Sequence, residues 1–577
     1  MMEQKNVLLA IVISAIILIG FEYVLPQVFP HYFPRPMQTT SSTTTSSTPT
    51  GGTTVQPAVP AAPTFKPRAE AIAGAPRVAI HSDQLIGTIS LVGGRLDDLT
   101  LAKYRETVDP NSPQIVLLSP PGTEHSYYAD FGWIADSGAS VKLPDWNTRW
   151  TATDGQTLTP DHPVTITWDN GEGLTFTRTF AVDQNYMFTV TDAVKNSGNA
   201  AARLYPYGRI LRYGTPHTAG YYILHEGLLG VLGGSLKETK YSSIAKEREE
   251  LYDSTGGWLG ITDKYWLVSL IPNQSDTVKA RFAHSLNAGT DLYQTDFQDA
   301  NPLTIAPGGN VSTTSRLFAG AKEVHVLVDY KNRLGIPLFE RAVDFGYLYF
   351  LTEPIFFVLD YIYHLIGNFG VAILVLTIFV RLLLFPLANK SFRAMNKMKK
   401  LTPLMTQLRE RFKEDKQRLN QEMMELYKRE KVNPAAGCLP VVVQIPVFFC
   451  LYKVLFVTIE MRHAPFFGWI KDLSAPDPTS FLNLFGLAPW AVPHLALLDS
   501  INLGIWPILM GVTMWLQQKM NPAPPDPVQA RIFMLLPIVF TFTLAHFPAG
   551  LVIYWAWNNL LSIAQQRYLM WRMDVKP

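Results

Sequence analysis

Cysteine is almost missing: the 577 residues contain two, Cys438 and Cys450. Both fall in one apolar run read as a helix, where twelve residues span roughly 18 Å, too far for a disulfide. Neither has a His or Cys neighbour at ligand spacing, so no metal site is expected and both read as small apolar residues of a span. Acidic residues are missing from every long apolar stretch after residue 367, which removes the carboxylate that proton-driven transport ordinarily needs. Also missing are a Gly-rich phosphate loop ending in Lys-Ser/Thr, a nucleophile elbow and a His-Glu-x-x-His motif. An enzyme, a cofactor and a catalytic metal are therefore not expected. Excess charge is missing too: the formal net charge is +2 with 47% hydrophobic residues, which excludes disorder and gives no sign of a specific DNA partner.

What is present divides between two solvents. Residues 7–20 are continuously apolar behind Lys5, and Phe21, Tyr23, Val24 and Leu25 extend the run without a small-residue cleavage pattern. Residues 1–25 thus read as an uncleaved transmembrane anchor with its amino end in the cytoplasm, and residues 26–67, rich in Ser, Thr, Pro and Gly, as a flexible periplasmic linker. Between 68 and 330, short segments alternate in the strand period between Gly, Asn, Asp and Pro turns. The clearest are 164–168, 174–178 and 188–191. This is the pattern of a large all-β sandwich, placed outside the cytoplasm, whose Trp and Tyr residues serve either a core or a sugar or peptide groove. Residues 337–364 mix charges with aromatics such as Phe345, Tyr349 and Phe356, as expected of an amphipathic helix in the outer headgroup layer.

Spans are expected at 368–387, 434–458, 503–518, 532–547 and 551–568, which with the anchor makes about six. Lys390, Arg393, Lys397, Lys399, Lys400, Arg409 and Arg411 assign the segment 388–433 to the cytoplasm, and Lys519, Arg531, Arg567 and Arg572 follow by parity. The tail 569–577 is then cytoplasmic as well. The apolar stretch 481–498 holds Pro489 and Pro493, and counting it as a crossing would carry those later basic residues outside, so it reads as interfacial or re-entrant. The expected fold class is a multi-domain membrane protein: a polytopic α-helical core of about six spans, a periplasmic β-sandwich and a cytoplasmic helical hairpin.

Arg381 lies within the second span, where a charge against lipid costs several kcal/mol unless water or a partner receives it. Thr377 precedes it by four residues on the same helical face. Either the pair begins a polar groove, or Arg381 snorkels about two turns to the cytoplasmic headgroups. Asn558, Ser562 and Gln565 or Gln566 repeat at helical spacing in the last span, Thr513 and Gln517 pair in the fourth, and Gln444 stands in the third. These line a wet groove or act as hydrogen-bonding glue between helices. In the cytoplasmic segment Met398, Leu401, Met405, Leu408 and Phe412 recur at alternating three and four, and Leu419, Met423 and Leu426 resume the stripe after the charged break 413–416. The methionines offer an adaptable client surface or form the hairpin's own core.

Several stretches carry a family resemblance: residues 421–428 (Gln-Glu-Met-Met-Glu-Leu-Tyr-Lys), Asn433-Pro434 with Gly437-Cys438, Gln444-Ile445-Pro446-Val447-Phe448, Ala464-Pro465-Phe466 and Phe547-Pro548-Ala549-Gly550-Leu551. They resemble the YidC insertase family over about residues 367–566, in the Gram-negative form with an extra first anchor and a periplasmic β-sandwich. The resemblance implies a membrane protein insertase and chaperone of the bacterial inner membrane. Its groove opens to cytoplasm and lipid, and an arginine, matched here by Arg381 ahead of Pro386, attracts a client's polar outer segment. It further implies that Thr377, Gln444, Tyr554, Trp555 and Asn559 face the client. The implied partners are nascent membrane proteins, the Sec translocon, the ribosome and the lipid bilayer. The sequence departs from the family pattern in the long apolar insert 481–498 and in Lys453, a charge in the third span. Two other function classes remain: a solute transporter, which predicts paired repeats with interrupted helices that the sequence does not display, and a tethered periplasmic carbohydrate-binding protein.

Overall fold

The computed structural model describes residues 65–572 apart from 137–138, 153–155, 219–223, 288, 413–414, 431–438, 489–501 and 521–526. The expected amino-terminal anchor, nearly all of the linker, Cys438, part of the charged break and most of the apolar insert lie outside the described residues. Every strand and helix named below belongs to one compact unit, Lys66–Ser285 with Asp291–Pro577.

Alternation becomes strand wherever one face is buried. Leu174–Val182 hides every second residue and pairs antiparallel with Val164–Asp169 and Met187–Asn196, so the three segments expected as strands are neighbours. They belong to a nine-stranded sheet that runs from Ser235–Lys240 through Asn310–Ala321 to Thr151–Ala152. An eleven-stranded sheet runs from Glu249–Thr255 through Ala202–Tyr213 to Thr157–Leu158. Phe176, Phe180 and Phe188 of the first share one buried cluster with Phe131, Leu204 and Ile210 of the second. Each such side chain contributes about 1.5–3 kcal/mol by leaving water, which is what holds the sheets together as a sandwich.

One inward position breaks the apolar rule. Arg178 is 1% exposed and donates from Nε to Asp192 Oδ1 at 2.7 Å, from Nη1 to the Gly94 carbonyl at 3.0 Å and from Nη2 to the Phe131 carbonyl at 2.6 Å. Gly94 and Phe131 lie on the eleven-stranded side, so this guanidinium ties the two layers together.

Two short helices, α1 (Arg68–Ala73) and α2 (Tyr241–Glu247), decorate the sandwich, and α3 (Val324–Leu334) closes it. Leu327 and Tyr330 of α3 enter the core, and the Tyr330 hydroxyl donates to Asp183 Oδ2 at 2.7 Å. The amphipathic helix expected over 337–364 is shorter at its start: Phe339–Ala342 is a separate 3-10 turn, and α4 spans Tyr349–Ile366. Its Phe356, Leu359 and Ile362 point inward while Phe350, Tyr361 and Leu365 are exposed, the two-faced pattern that the aromatics suggested.

The helical part follows as α5 (Phe369–Leu383), α6 (Phe385–Arg411), α7 (Lys416–Arg429), α8 (Leu439–Val457), α9 (Ile505–Met520), α10 (Pro527–Leu544) and α11 (Ala549–Arg572). Among the described residues no single helix is long and apolar enough to meet the requirement for a membrane span by itself; α5 and the first turns of α6 meet it together, bent by 63°. The bend falls inside the span expected over 368–387. Pro386 in the first turn of α6 has no N–H to continue the ladder, and its ring crowds the preceding turn, so the chain turns at Leu384. Helix α6, the first arm of the hairpin expected over 388–433, begins at Phe385. Of the apolar insert, Phe481–Gly486 is a 3-10 segment with Leu484 and Phe485 at positive φ.

Candidate functional site

Three local features set the position of Arg381. At the start of α5, Asn368 caps the helix by accepting from the Val371 amide at 3.0 Å, and its Nδ2 donates to the Phe466 carbonyl at 3.2 Å. Gly370 in that first turn leaves room for the Phe466 ring, which a Cβ would meet at 2.0 Å. At the other end the Leu384 bend lies three residues beyond Arg381, so Leu384, Leu387 and Ala388 fold round as one wall of a recess. Across from it, Trp557 of α11 donates its indole N–H to the Leu374 carbonyl at 3.2 Å and holds α11 against α5.

The recess is small, with a cavity volume of about 40 Å³, and is lined by Thr377, Arg381, Gln444, Tyr554 and Asn558 together with apolar residues of α5, α6 and α8. Arg381 Nε donates to Asn558 Oδ1 at 2.8 Å, and Nη2 donates to the Asn558 carbonyl at 2.9 Å and to Ser562 Oγ. Ser562 Oγ donates in turn to the Asn558 carbonyl at 2.8 Å. Among the described residues the hydrogen-bond partners of the guanidinium are all neutral. A cation held by amide, carbonyl and hydroxyl oxygens keeps its full charge and remains able to attract an anion, whereas a carboxylate partner would cancel it. Thr377 is buried and donates to the Ile373 carbonyl at 2.6 Å, which leaves its oxygen as an acceptor toward the recess.

Of the six residues expected to face a client, the structure brings Arg381, Thr377, Gln444 and Tyr554 together and turns two away. Trp555 packs edge-on against Phe448 at 4.7 Å and against Phe540 at 5.4 Å. Asn559 is buried and donates to Thr513 Oγ1 of α9 at 3.3 Å. One residue along a helix is a rotation of about 100°, so the face that carries Tyr554, Asn558 and Ser562 necessarily points Trp555 and Asn559 elsewhere. Asn558 and Ser562, expected only as a polar stripe, supply the oxygens that hold Arg381. Their four-residue spacing was the signal, and its partner 177 residues away was not.

The hairpin methionines face inward. Met405 and Met423 are buried with Leu401, Leu426 and Tyr427, and Met398 packs against that cluster, so these three form the seam between α6 and α7 rather than an outer surface. Asp415 caps α7 by accepting from the Arg418 amide at 2.9 Å. Below the seam Ala388 and Phe392 of α6 pack on Leu569 of α11, which fixes the base of the hairpin to the recess wall. Lys453, the unexpected charge in the third span, sits one turn from the end of α8 and pairs with Asp344 at 2.9 Å.

A family model described as the YidC periplasmic domain matches residues 77–358, and one described as a 60 kDa inner membrane protein matches 361–576. A membrane protein insertase YidC of Bradyrhizobium diazoefficiens is 50% identical over 100% of this chain and 97% of its own length. One of Methylobacterium nodulans is 52% identical over 100% and 96%. A crystal structure of a YidC insertase aligns over 85% of this chain and 94% of its own, at 17% identity and a TM-score of 0.34. The chain therefore belongs to the YidC family of membrane protein insertases, as an inner-membrane protein with a periplasmic β-sandwich domain.

Proposed function

We propose that this chain inserts nascent membrane proteins from the cytoplasm into the inner membrane, and that the recess around Arg381 receives the polar part of a client on its way across. The reading rests on one observation: a guanidinium in an apolar helix pair, held by Asn558 and Ser562 without a carboxylate and opening on a hollow shared with Thr377, Gln444 and Tyr554. A client's uncompensated backbone and polar side chains cost several kcal/mol each in hydrocarbon. Polar groups at mid-bilayer lower that barrier, and Arg381 acts as a transient counter-charge for an acidic or polar outer segment. Nothing is hydrolysed. Binding is exchanged for solvation, and the client leaves sideways into lipid.

In the accompanying topology the carboxyl-terminal helices span the bilayer, α4 lies in the outer headgroup layer, and the α6–α7 hairpin and both chain ends are cytoplasmic. Basic residues such as Lys390, Arg393 and Arg411 on the hairpin side favour that orientation. The Sec translocon and the ribosome are the proposed partners for larger clients and for delivery.

The test replaces Arg381 with Ala and with Lys and follows a single-span client into vesicles that contain the purified chain. Arg381→Ala should lower insertion severely, and Arg381→Lys, which keeps the charge but loses the forked grip on Asn558, should fall between. Wild-type insertion by both variants ends the role of the recess and leaves the family membership untouched.

A further inference from the structure

A second polar hollow lies on the periplasmic side, where the sandwich meets the loop after α8. The strand Arg95–Arg105 ends in a hairpin loop that returns as Gln114–Leu118, and Arg105 Nη1 steadies the loop by donating to the Ser112 carbonyl at 2.7 Å. Against it, Arg462 Nη2 donates to the carbonyls of Arg105 at 2.6 Å and Glu106 at 3.1 Å. Between the loops is an open cleft with a volume of about 570 Å³. Lys103, Arg105, Arg462 and Lys471 reach it, opposed by the single carboxylate of Asp109, so four positive charges face one negative and the net is three positive.

Glu106, exposed in the hairpin loop, does not line the cleft, and Asp472 in the loop after α8 is already engaged. Asp472 Oδ1 accepts from the His463 amide at 3.2 Å, the Ser474 amide at 2.8 Å and the Ser474 hydroxyl at 2.7 Å. Among the described residues none of Lys103, Arg105, Arg462 and Lys471 forms an ion pair. Like charges held this close repel one another, and an anion in the cleft relieves the repulsion.

The surroundings say which anion. The same loop exposes Phe467 and Trp469, at 62% and 42%, while the adjacent Phe466 packs on the first turn of α5. Large exposed aromatic side chains in the loop that also lines a basic cleft are the arrangement that meets a bilayer surface: rings among the upper acyl carbons and cations at the phosphate level. A free anion has no use for the rings.

We propose that this cleft binds the phosphodiester headgroup of an anionic phospholipid in the outer leaflet of the inner membrane, and so seats the hairpin loop of the sandwich on the lipid surface. The headgroup phosphate takes the place of the missing counter-anion. Lys103, Lys471 and Arg105 supply its attraction, and Arg462 shapes the floor through its hold on the loop carbonyls. The site is separate from the recess around Arg381 and does not depend on the client reading given for it.

The test titrates the detergent-purified full-length chain with dioleoyl phosphatidylglycerol, dioleoyl phosphatidylcholine and inorganic phosphate at fixed ionic strength, and reads binding by native mass spectrometry. The chain should retain phosphatidylglycerol over phosphatidylcholine, and the triple variant Lys103→Gln, Arg105→Gln, Lys471→Gln should bind it at least about tenfold more weakly. Equal unfolding midpoints of the lipid-free wild type and variant establish that the loss is local; Lys471→Glu, a change to one exposed side chain, gives a second reading of the same loss. Unchanged phosphatidylglycerol binding by both variants overturns the site. Equal retention of phosphatidylcholine overturns the anion requirement, and displacement of the lipid by an equal concentration of inorganic phosphate overturns the lipid as its ligand.

Discussion

The backbone amide of Val324 donates to Glu460 Oε1 at 2.8 Å, so a carboxyl group from the turn after α8 caps the helix that closes the β-sandwich. Glu460 is half-buried, but its Oε2 is enclosed and has no hydrogen-bond partner among the described atoms. Burial, reinforced by the charges of Glu323 and Asp360, pushes its carboxyl from an ordinary 4.5 up to about 8. The folded chain therefore holds a proton near neutrality that the unfolded chain releases. That contribution to stability is complete below about 4.5, declines as pH rises toward about 8 and is gone above it. Glu460→Gln mimics the neutral form and should flatten the decline. Thermal midpoints of the two proteins across this window are the check, and parallel curves would falsify the protonated state.

Inside the sandwich, Arg178 and Asp192 stand directly across from each other on neighbouring strands and exchange a 2.7 Å bond. Removing one member strands the other in a dry interior, so Arg178→Ala should cost about 3–5 kcal/mol, whereas replacing both by apolar residues of like size should cost far less. Urea unfolding of the two variants separates the cases. Similar losses in both would mean that the carbonyl bonds to Gly94 and Phe131, rather than the charge pair, dominate.

How much could be read in advance follows from the range of each interaction. Strands 164–169, 174–182 and 187–196 were legible because period-two burial is a local property of the chain. Arg178 inside that pattern was not, since its partner is fourteen residues away across a turn. The α5–α6 bend was signalled by Pro386, yet apolar composition on both sides disguised it as one straight span. Arg381 was legible as a charge in apolar sequence, and Tyr554 came from the family resemblance. Trp555 and Asn559 lie off the recess, since resemblance fixes position along a helix more readily than rotation about it. The cationic cleft was invisible, since Lys103 and Lys471 are brought together only by the fold.

The grip on Arg381 predicts a graded series on α11. Asn558→Leu removes the Oδ1 acceptor and leaves only the backbone carbonyl and Ser562 Oγ, a loss of about 1.5–3 kcal/mol for a bond to a charged group. Ser562→Ala removes a single acceptor and leaves both Asn558 oxygens in place. Insertion of a single-span client should therefore fall in the order wild type, Ser562→Ala, Asn558→Leu. Asn559→Leu, on the α9-facing side, should act mainly on helix packing and lower thermal stability more than it lowers insertion per folded molecule. The reverse ranking of the 558 and 559 variants would reject the observed helix rotation.

The α6–α7 hairpin sets core and surface against each other within two adjacent residues. Met423 is 8% exposed and packs in the α6–α7 seam, while Met424 is 54% exposed and turned outward. If the seam is what the methionines are for, Met423→Ala and Met405→Ala should each cost about 2 kcal/mol, at the low end for a buried methionine because the cluster is small. Hydrogen exchange over 385–429 should then rise in step, and Met424→Ala should leave it unchanged. The alternative use, an adaptable surface for apolar clients, predicts a different pairing: Met424→Ala would weaken crosslinking to a nascent chain with exchange unaltered. Measuring both quantities on the same three variants distinguishes a residue that holds the hairpin together from one that meets the client, because the first moves exchange and the second does not.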